Sequence, residues 1–280
     1  MNIAVVIPAA GSSRRFSETA ATELGIEGGA DFARSKLDEE IGGRPVLQRT
    51  VELFTKHPDV TLIVVAGPAD AGAFAEFKNK YSDKLGLLGV KLCQGGAAHR
   101  YETVANALKL IPTDGGITHV AIHDAARPCA SPELIERVFA AAHEDGGGHK
   151  AIIPGLDVPD TLKRVSERSV MAKFDPFAAI LGDAKSKTLG RTVEQTIDRT
   201  RVVAVQTPQL FELALLRRAY AQEDLNSTDD AQLVERLGES VLVVPGEAGN
   251  IKITRYSDMR LARAVLGVKA AEGREAHKRF

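Results

Sequence analysis

Short apolar runs alternate with longer amphipathic stretches along the chain. The runs rich in β-branched residues predict strands, and several are apolar throughout, as expected for strands that are covered on both faces. The predicted strands are Ile3–Ile7, Val60–Ala66, Val90–Leu92, His119–Ile122, Ala151–Ile153, Val202–Val205 and Val241–Val244. Repeated alternation of strand and helix predicts an α/β fold with a doubly wound, mostly parallel sheet.

Between the strands, apolar residues recur at helical spacing. Pro45–His57 places its apolar residues near one face, and Pro132–His143 repeats this pattern. Ser131 is a natural N-cap for the second of these helices, and Pro132 suits its first position. A further helix is predicted over Tyr101–Leu110.

Two stretches interrupt the rhythm. Residues 16–35 contain small, polar and glycine-rich pieces and predict a long loop, which could be a lid over a ligand or an inert excursion. Residues 160–200 are rich in charged and turn residues and predict a projecting arm, with a disordered surface loop as the alternative. The charged tail from Lys269 is expected to fray. The interpretation is one domain over 1–280, with a dimerisation arm inserted at about 160–200.

Composition and charge narrow the classes of partner. The 280 residues are 44% hydrophobic and 26% charged, which is ordinary for a globular protein. The net charge of −1 provides no global field that would attract nucleic acid or an anionic membrane, and we expect neither as a partner. An anionic substrate therefore has to be bound by a local basic cluster.

The cysteine content and the hydropathy of the chain indicate its cellular compartment. Cys93 and Cys129 match no metal-ligand spacing and are expected to be reduced residues in or near the core. No apolar run reaches the roughly 18–20 residues of a membrane span. The first residues predict a strand rather than a signal peptide, so a cytoplasmic location is expected.

Polar residues follow several predicted strands, and ligands of open parallel sheets bind beyond the carboxyl ends of the strands. The loop 8–15, PAAGSSRR, has small residues that let backbone N–H groups approach a base or a phosphate, and two arginines that add charge. It has neither a GxGxxG nor a P-loop spacing. A tight turn with a solvated arginine pair is the alternative.

A second candidate is Gln94-Gly95-Gly96 with Arg100, in which glycines precede a helix and an arginine is placed to bind anions. A simple glycine turn would explain it equally well. A short alternating segment, 249–254, exposes Lys252 near the end of the fold. A surface lysine is usually only solvated.

The segment HDAARP, 123–128, follows a strong predicted strand. Asp124 could hold Mg²⁺ beside a triphosphate, and Arg127 could bind another phosphate. A local ion pair between Asp124 and Arg127 is the alternative. His123 could be a metal ligand, but a single histidine at a strand end is more often a hydrogen-bonded structural residue, and His123 is left unassigned.

Taken together, these segments resemble the 2-C-methyl-D-erythritol 4-phosphate cytidylyltransferases of isoprenoid biosynthesis. They occur in the order typical of that family and span nearly the whole chain. The shared segments are PAAGSSRR at 8–15, QGGAAHRYETV at 94–104, HDAARP at 123–128, DTLKR at 160–164, IDR at 197–199, QTPQLF at 206–211, STDDA at 227–231 and GNIKITR at 249–255.

The resemblance implies a Rossmann-like domain that transfers CMP from CTP to 2-C-methyl-D-erythritol 4-phosphate and releases pyrophosphate. It also implies Mg²⁺ as cofactor, CTP and a polyol phosphate as small-molecule partners, and a homodimer with arm exchange. In such a dimer each β-arm reaches the neighbouring subunit's active site.

Site residues are carried over from the matching motifs. The nucleotide-binding residues would be Ala9, Ala10, Gly11, Gly96, Arg100, Thr103 and Asp124. The catalytic cations would be Arg15, Lys36 and Lys252, and Asp124 would also bind the metal. The substrate-binding residues would be Asp124, Arg127, Thr161, Arg199, Thr207 and Lys252. Thr161 and Arg199 lie on the arm and would serve the partner's site.

The sequence departs from the family pattern around Lys36. Twenty residues separate Arg15 from Lys36, well beyond the usual short linker, and Lys36 lies in Arg-Ser-Lys-Leu rather than Pro-Lys-Gln. Ala97 and Ala98 replace an acidic position, and the arm is longer than usual. A ribitol-5-phosphate cytidylyltransferase and a catalytically silent nucleotide-binding protein remain alternatives. A nicotinamide dehydrogenase is disfavoured because the glycine fingerprint is missing.

Overall fold

The computed structural model describes residues 1–26, 34–114, 116–143, 148–171 and 189–268. It divides the chain into two compact units, one formed by Met1–Gly155 and Val205–Phe280 and the other by Leu156–Ala204. The tail from Lys269, which was expected to fray, and the later part of the predicted 16–35 loop (27–33) lie outside the described residues.

Strands and helices alternate along most of the chain. The strands are β1 (Ile3–Pro8), β2 (Glu40–Ile41), β3 (Arg44–Pro45), β4 (Val60–Gly67), β5 (Val90–Gln94), β6 (His119–Ile122), β7 (Ala151–Asp157), β8 (Leu162–Val165), β9 (Val170–Met171), β10 (Leu189–Gly190), β11 (Val193–Ile197), β12 (Val203–Val205), β13 (Gln209–Glu212) and β14 (Leu242–Pro245). The helices are α1 (Arg14–Glu23), α2 (Val46–Glu52), α3 (Ala71–Gly86), α4 (Arg100–Leu108), α5 (Pro132–Ala140), α6 (Leu213–Tyr220), α7 (Ala231–Glu235) and α8 (Asp258–Val265).

Among the described residues, the main sheet has eight strands in the order β12-β7-β13-β6-β1-β4-β5, and β14 also pairs with β7. β1 pairs in parallel with β4 and β6, β4 with β5, and β14 with β7. β13 is antiparallel to both of its neighbours. All of the predicted strands are present, and the predicted α/β fold with a mostly parallel sheet is confirmed.

The sheet is covered on both faces, which explains the uninterrupted apolar runs. In β1, Ile3, Val5 and Ile7 belong to one buried cluster, whereas Ala4 and Val6 belong to the other. Because successive side chains of a strand point to opposite faces, a strand between two helical layers has to be apolar at every position.

β13 was not predicted from the sequence, although it lies between β6 and β7 inside the sheet. The strand has only four residues, and both of its ends are polar. Its two central residues, Leu210 and Phe211, are fully buried. A run of four residues is too short to show a recognisable alternation of apolar and polar positions.

α5 begins where its capping signal predicts. The hydroxyl of Ser131 accepts a hydrogen bond from the backbone N–H of Leu134 at 2.9 Å, and Pro132 is the first residue of α5.

The prediction of a loop over residues 16–35 is wrong for its first part, because α1 extends to Glu23. Only Phe16, Ala20 and Ala21 of α1 are buried, so its apolar face gives a weak signal in the sequence.

The second unit contains short antiparallel strand pairs, β8 with β11 and β9 with β10. That this segment is a dimerisation arm stays a prediction.

Two expectations about the chain as a whole can be compared with the structure. Both cysteines are free thiols; Cys129 is buried and Cys93 is half-buried, as expected. Among the described helices, none has the length and apolarity to cross a bilayer.

Truncation of Phe211 tests the role of β13. The side chain is fully buried in the core on one face of the sheet, so Phe211→Ala should lower the free energy of unfolding by about 3–5 kcal/mol. Leu87→Ala is the control, because Leu87 is 90% exposed and its loss should cost less than about 0.5 kcal/mol. Urea denaturation measures both, and equal losses would contradict the central place of β13.

Candidate active site

A cavity of about 530 Å³ lies where the loops after β1, β5 and β6 meet. The carboxyl ends of parallel strands share one edge of a sheet, so these loops converge although they are far apart in the sequence. The lining residues are Pro8, Ala9, Ala10, Gly11, Ser12, Arg14, Lys36, Leu37, Gly96, Ala97, Ala98, His99, Arg100, Thr103, Asp124, Ala125, Ala126 and Lys252.

The Gly95-Gly96 turn forms one wall of the cavity, and its glycines are required by close approach. A Cβ on Gly95 would lie 2.4 Å from the carbonyl oxygen of Gly67, and one on Gly96 would lie 2.1 Å from Cβ of Glu102. The backbone N–H of Gly96 donates to the hydroxyl of Thr103 at 3.1 Å. The turn is therefore packed tightly against the first turn of α4.

Asp124 is the centre of charge in the cavity. Its Oδ2 lies 3.0 Å from Nζ of Lys252 and 3.2 Å from Nε of Arg127, and its Oδ1 lies 3.9 Å from Nε of Arg100. Burial alone would raise the pKa of Asp124, but the three cations together hold it well below its usual range. Asp124 is therefore a carboxylate at every physiological pH.

Lys36 joins the cavity from a different part of the chain. Its Nζ donates to the carbonyl of Ile253 at 2.9 Å, which ties Lys36 to the segment that carries Lys252. Burial, followed by the charges of Lys252 and Arg15, lowers the pKa of Lys36 to about 8, although Asp124 opposes the shift. The amine is therefore a cation near neutral pH, but it loses its proton at a lower pH than an ordinary lysine does.

His123 and Thr207 support the loop that carries Asp124. The backbone N–H of Asp124 donates to the hydroxyl of Thr207 at 3.0 Å, and that hydroxyl lies 3.1 Å from Nδ1 of His123. Nε2 of His123 lies 3.0 Å from the carbonyl of Arg127, which can only accept, so the proton is on Nε2. Burial lowers the pKa of His123 to about 4. The interpretation of His123 as a structural residue is supported by these contacts.

Comparison with known proteins decides the family. The family model IspD, 2-C-methyl-D-erythritol 4-phosphate cytidylyltransferase, matches residues 3–176 and 177–268. The enzyme of that name from Frankia casuarinae is 37% identical over 94% of this chain and 81% of its own length. The one from Syntrophotalea carbinolica is 34% identical over 95% of this chain and 97% of its own length. This chain belongs to the 2-C-methyl-D-erythritol 4-phosphate cytidylyltransferase family.

Solved structures agree with this assignment. The cytidylyltransferase from Thermus thermophilus superposes with a TM-score of 0.62 at 30% identity, over 96% of this chain and 100% of its own. The Francisella tularensis enzyme gives 0.66 at 25% identity, over 95% and 100% of the two chains. The predicted Rossmann-like fold and the enzyme class, a nucleotidyltransferase, are confirmed.

Most of the site residues expected in a cytidylyltransferase line this one cavity. They are Ala9, Ala10, Gly11, Lys36, Gly96, Arg100, Thr103, Asp124 and Lys252. Among the described residues that line it, Arg14 is present and Arg15 is not. Arg15 is exposed, and its charge contributes to the lowered pKa of Lys36.

Arg127 and Thr207 stabilise the segments around the cavity in this structure. Arg127 is part of the ion pair with Asp124 that the sequence left as an alternative, and its Nη1 donates to the carbonyl of Asn250 at 2.7 Å. The amide of Asn250 in turn donates to the carbonyl of Thr207 at 2.9 Å. The described residues lining the cavity do not include Arg127 or Thr207, so their contact with substrate stays a prediction.

Thr161 and Arg199 belong to the second unit, where both are exposed. Nη1 of Arg199 donates to the carbonyl of Val158 at 2.8 Å and also contacts the carbonyl of Pro159. Their roles in substrate binding stay predictions.

Two charged residues of the site do not stand out in the sequence. Arg14 was noted only as half of an arginine pair, yet it lines the cavity. Asp230, in the STDDA segment, is 1% exposed and accepts a hydrogen bond from Nη1 of Arg100 at 2.6 Å. A short acidic segment before a five-residue helix gives no sign in the sequence that one of its carboxylates is buried.

Gly96→Ala tests the close approach in the cavity wall. The added Cβ would overlap Cβ of Glu102, so we expect the free energy of unfolding to fall by about 1–3 kcal/mol. Gly11→Ala is the matched control, because a Cβ there would meet nothing within 4 Å. Thermal unfolding measures both variants, and an unchanged midpoint for Gly96→Ala would contradict the packing described.

Proposed function

We propose that this cavity binds CTP and a divalent cation and transfers CMP to 2-C-methyl-D-erythritol 4-phosphate, the reaction of its family. The observation that carries the proposal is the convergence of Arg14, Lys36, Arg100 and Lys252 on one cavity, whose described lining residues include one carboxylate, Asp124. A triphosphate needs such an excess of positive charge, and the whole chain, at a net charge of −1, does not provide it.

The two walls of small residues suit the nucleoside part of CTP. Ala9, Ala10 and Gly11 on one side and Gly96 on the other present backbone rather than long side chains to the cavity. Backbone N–H and C=O groups can then reach the edge of a cytosine ring. This arrangement supports the roles expected of these residues in nucleotide binding.

The chemistry requires charge stabilisation more than proton transfer. The second pKa of a phosphate monoester is about 6, so the substrate is largely a dianion at neutral pH. One of its oxygens attacks the α-phosphorus of CTP, a new P–O bond forms, and the bond to the β-phosphate oxygen breaks with its electron pair leaving on pyrophosphate. Neither step needs a general base, which agrees with a site dominated by fixed cations.

Lys36 and Lys252 are held in place by different contacts. Lys36 and Lys252 come from separate segments that are joined through the carbonyl of Ile253. Lys252 is held 3.0 Å from Asp124, which fixes the position of its ammonium group. In this proposal the two lysines stabilise the charge that builds on the phosphate oxygens during transfer. The same role for Arg15 rests on the family resemblance, because Arg15 does not line the cavity.

The residues fit a magnesium ion that is held largely by the nucleotide. Among the described residues no group of three or more His, Cys, Asp or Glu side chains could enclose a metal. Mg²⁺ in phosphoryl-transfer sites is commonly bound through one or two carboxylates together with substrate phosphates. Oδ1 of Asp124 is 3.9 Å from Arg100 and would be the protein ligand. Bound Mg²⁺ would neutralise phosphate charge.

The partner-dependent part of the function rests on the family resemblance. We propose a homodimer with arm exchange, in which Thr161 and Arg199 bind the substrate phosphate in the partner's site. A cytoplasmic location stays a prediction.

The decisive experiment measures pyrophosphate release with a panel of nucleotides and polyol phosphates. Turnover should need CTP, a divalent cation and 2-C-methyl-D-erythritol 4-phosphate together. ATP, GTP and UTP should be poor donors. Preference for ribitol 5-phosphate would overturn the substrate, and CTP binding without turnover would indicate a catalytically silent nucleotide-binding protein.

Removal of Lys252 tests the proposed charge stabilisation. Lys252→Ala should lower kcat by about 10²–10³-fold, as loss of one preorganised donor does in other enzymes. Lys91→Ala on β5 is the matched control, because Lys91 is exposed and outside the lining of the cavity. Steady-state kinetics compares the two, and similar rates for Lys252→Ala and wild type would remove Lys252 from the mechanism.

The lowered pKa of Lys36 gives a pH dependence. The charged amine is the form that binds phosphate, and it is lost as pH rises through about 8. Since kcat/KM reports the ionisations of the free enzyme, kcat/KM for CTP should decline above that pH. Lys36→Arg keeps its charge at high pH and should lose this decline. The same decline in both enzymes would assign it to another group.

A further inference from the structure

Asp230 lies outside the cavity lining but is joined to it through Arg100. Its Oδ2 accepts a hydrogen bond from Nη1 of Arg100 at 2.6 Å, and its Oδ1 accepts one from the hydroxyl of Tyr220 at 2.5 Å. Nε of Arg100 is 3.9 Å from Asp124. A continuous polar chain therefore runs from Tyr220 to the central carboxylate of the cavity.

The inner end of this chain is shielded from solvent. Asp230 is 1% exposed, whereas the side chain of Arg100 is 30% exposed and lines the cavity. Burial alone would lower the pKa of Arg100, but Asp230 and Asp124 hold it above its ordinary value. A buried carboxylate with both oxygens engaged thus holds Nη1 of a guanidinium that belongs to the lining of the cavity.

The turn that carries Asp230 is itself anchored to the sheet. The neighbouring Asp229 accepts a hydrogen bond from the side-chain amide of Gln209 in β13 at 2.8 Å. Tyr220 is the last residue of α6, and Arg100 is the first of α4. The chain of contacts therefore connects two helices to the loop after β6 through a turn fixed on β13.

We propose that Asp230 is a positioning residue, which with Tyr220 fixes the guanidinium of Arg100 beside Asp124 for binding the nucleotide. The proposal rests on the proposed function of the cavity. An arginine side chain has many rotamers, and an unanchored one would lose that freedom when CTP binds. Anchoring Arg100 in the free protein removes this cost from the binding step.

Asp230→Asn removes the negative charge and keeps the size of the side chain. We expect kcat/KM for CTP to fall by about tenfold or more, with most of the change in KM, because coupled contacts of this kind are typically worth that much. Asp224→Asn is the matched control. It makes the same chemical change at a side chain that is 75% exposed and lies 3.4 Å from Nη1 of Arg236, outside the lining of the cavity, and it should leave kcat/KM unchanged.

A double-mutant cycle separates positioning from stability. If Asp230 acts through Arg100, then Asp230→Asn should have little further effect in an Arg100→Gln background. Equal losses in both backgrounds would overturn the proposal. Tyr220→Phe gives a second test should Asp230→Asn fold poorly, because it keeps the ion pair. It should raise KM for CTP by a smaller factor in wild type and leave it unchanged in Arg100→Gln.

Calorimetric titration with CTP distinguishes this proposal from the proposed function. If the wild-type protein binds CTP without turning it over, the reaction assigned to the cavity fails. The cycle can then still be completed with dissociation constants. If wild type turns over normally and the cycle shows no coupling, only the positioning role of Asp230 fails.

Discussion

The arrangement of cations at the cavity depends on their ion pairs with the carboxylate of Asp124. Lys252 and Arg127 contact the same oxygen, and Arg100 approaches the other. These cations come from the end of the fold, the loop after β6 and the start of α4. Without the negative charge at their centre they would repel one another, since like charges at such distances in a partly buried site are strongly unfavourable. Asp124 thus allows several cations to lie close together in the free protein, before an anionic ligand binds.

The sheet determines where that carboxylate lies. β6 lies between β1 and β13 and its last three residues are buried, so the backbone after Ile122 emerges at a fixed place and angle. The contact of Asp124 N–H with Thr207, and of Thr207 with His123, then sets the direction of the loop. A neutral, buried His123 serves this purpose better than a charged one, because its two nitrogens can donate to one neighbour and accept from the other.

Much of this could be predicted from the sequence, and the limits have physical causes. The parallel strands are visible because burial on both faces makes them apolar throughout, and the glycines at 95 and 96 mark a close approach. β13 and the face of α1 were missed because each has few apolar residues. Pairing of distant charges, such as Arg100 with Asp230, depends on tertiary positions that no local pattern encodes. The family resemblance identified Lys36 despite its unusual neighbours, and the structure brings it to the cavity.

A crystal structure with CTP bound would show whether the cationic cavity is the nucleotide site. We expect triphosphate density between the Gly95-Gly96 turn, Lys36 and Lys252, with the cytosine against Ala9 and Ala10. Arg100 should keep its place beside Asp124. Density for CTP anywhere else, or within the cavity but away from both lysines, would contradict the assignment of this cationic site to the nucleotide.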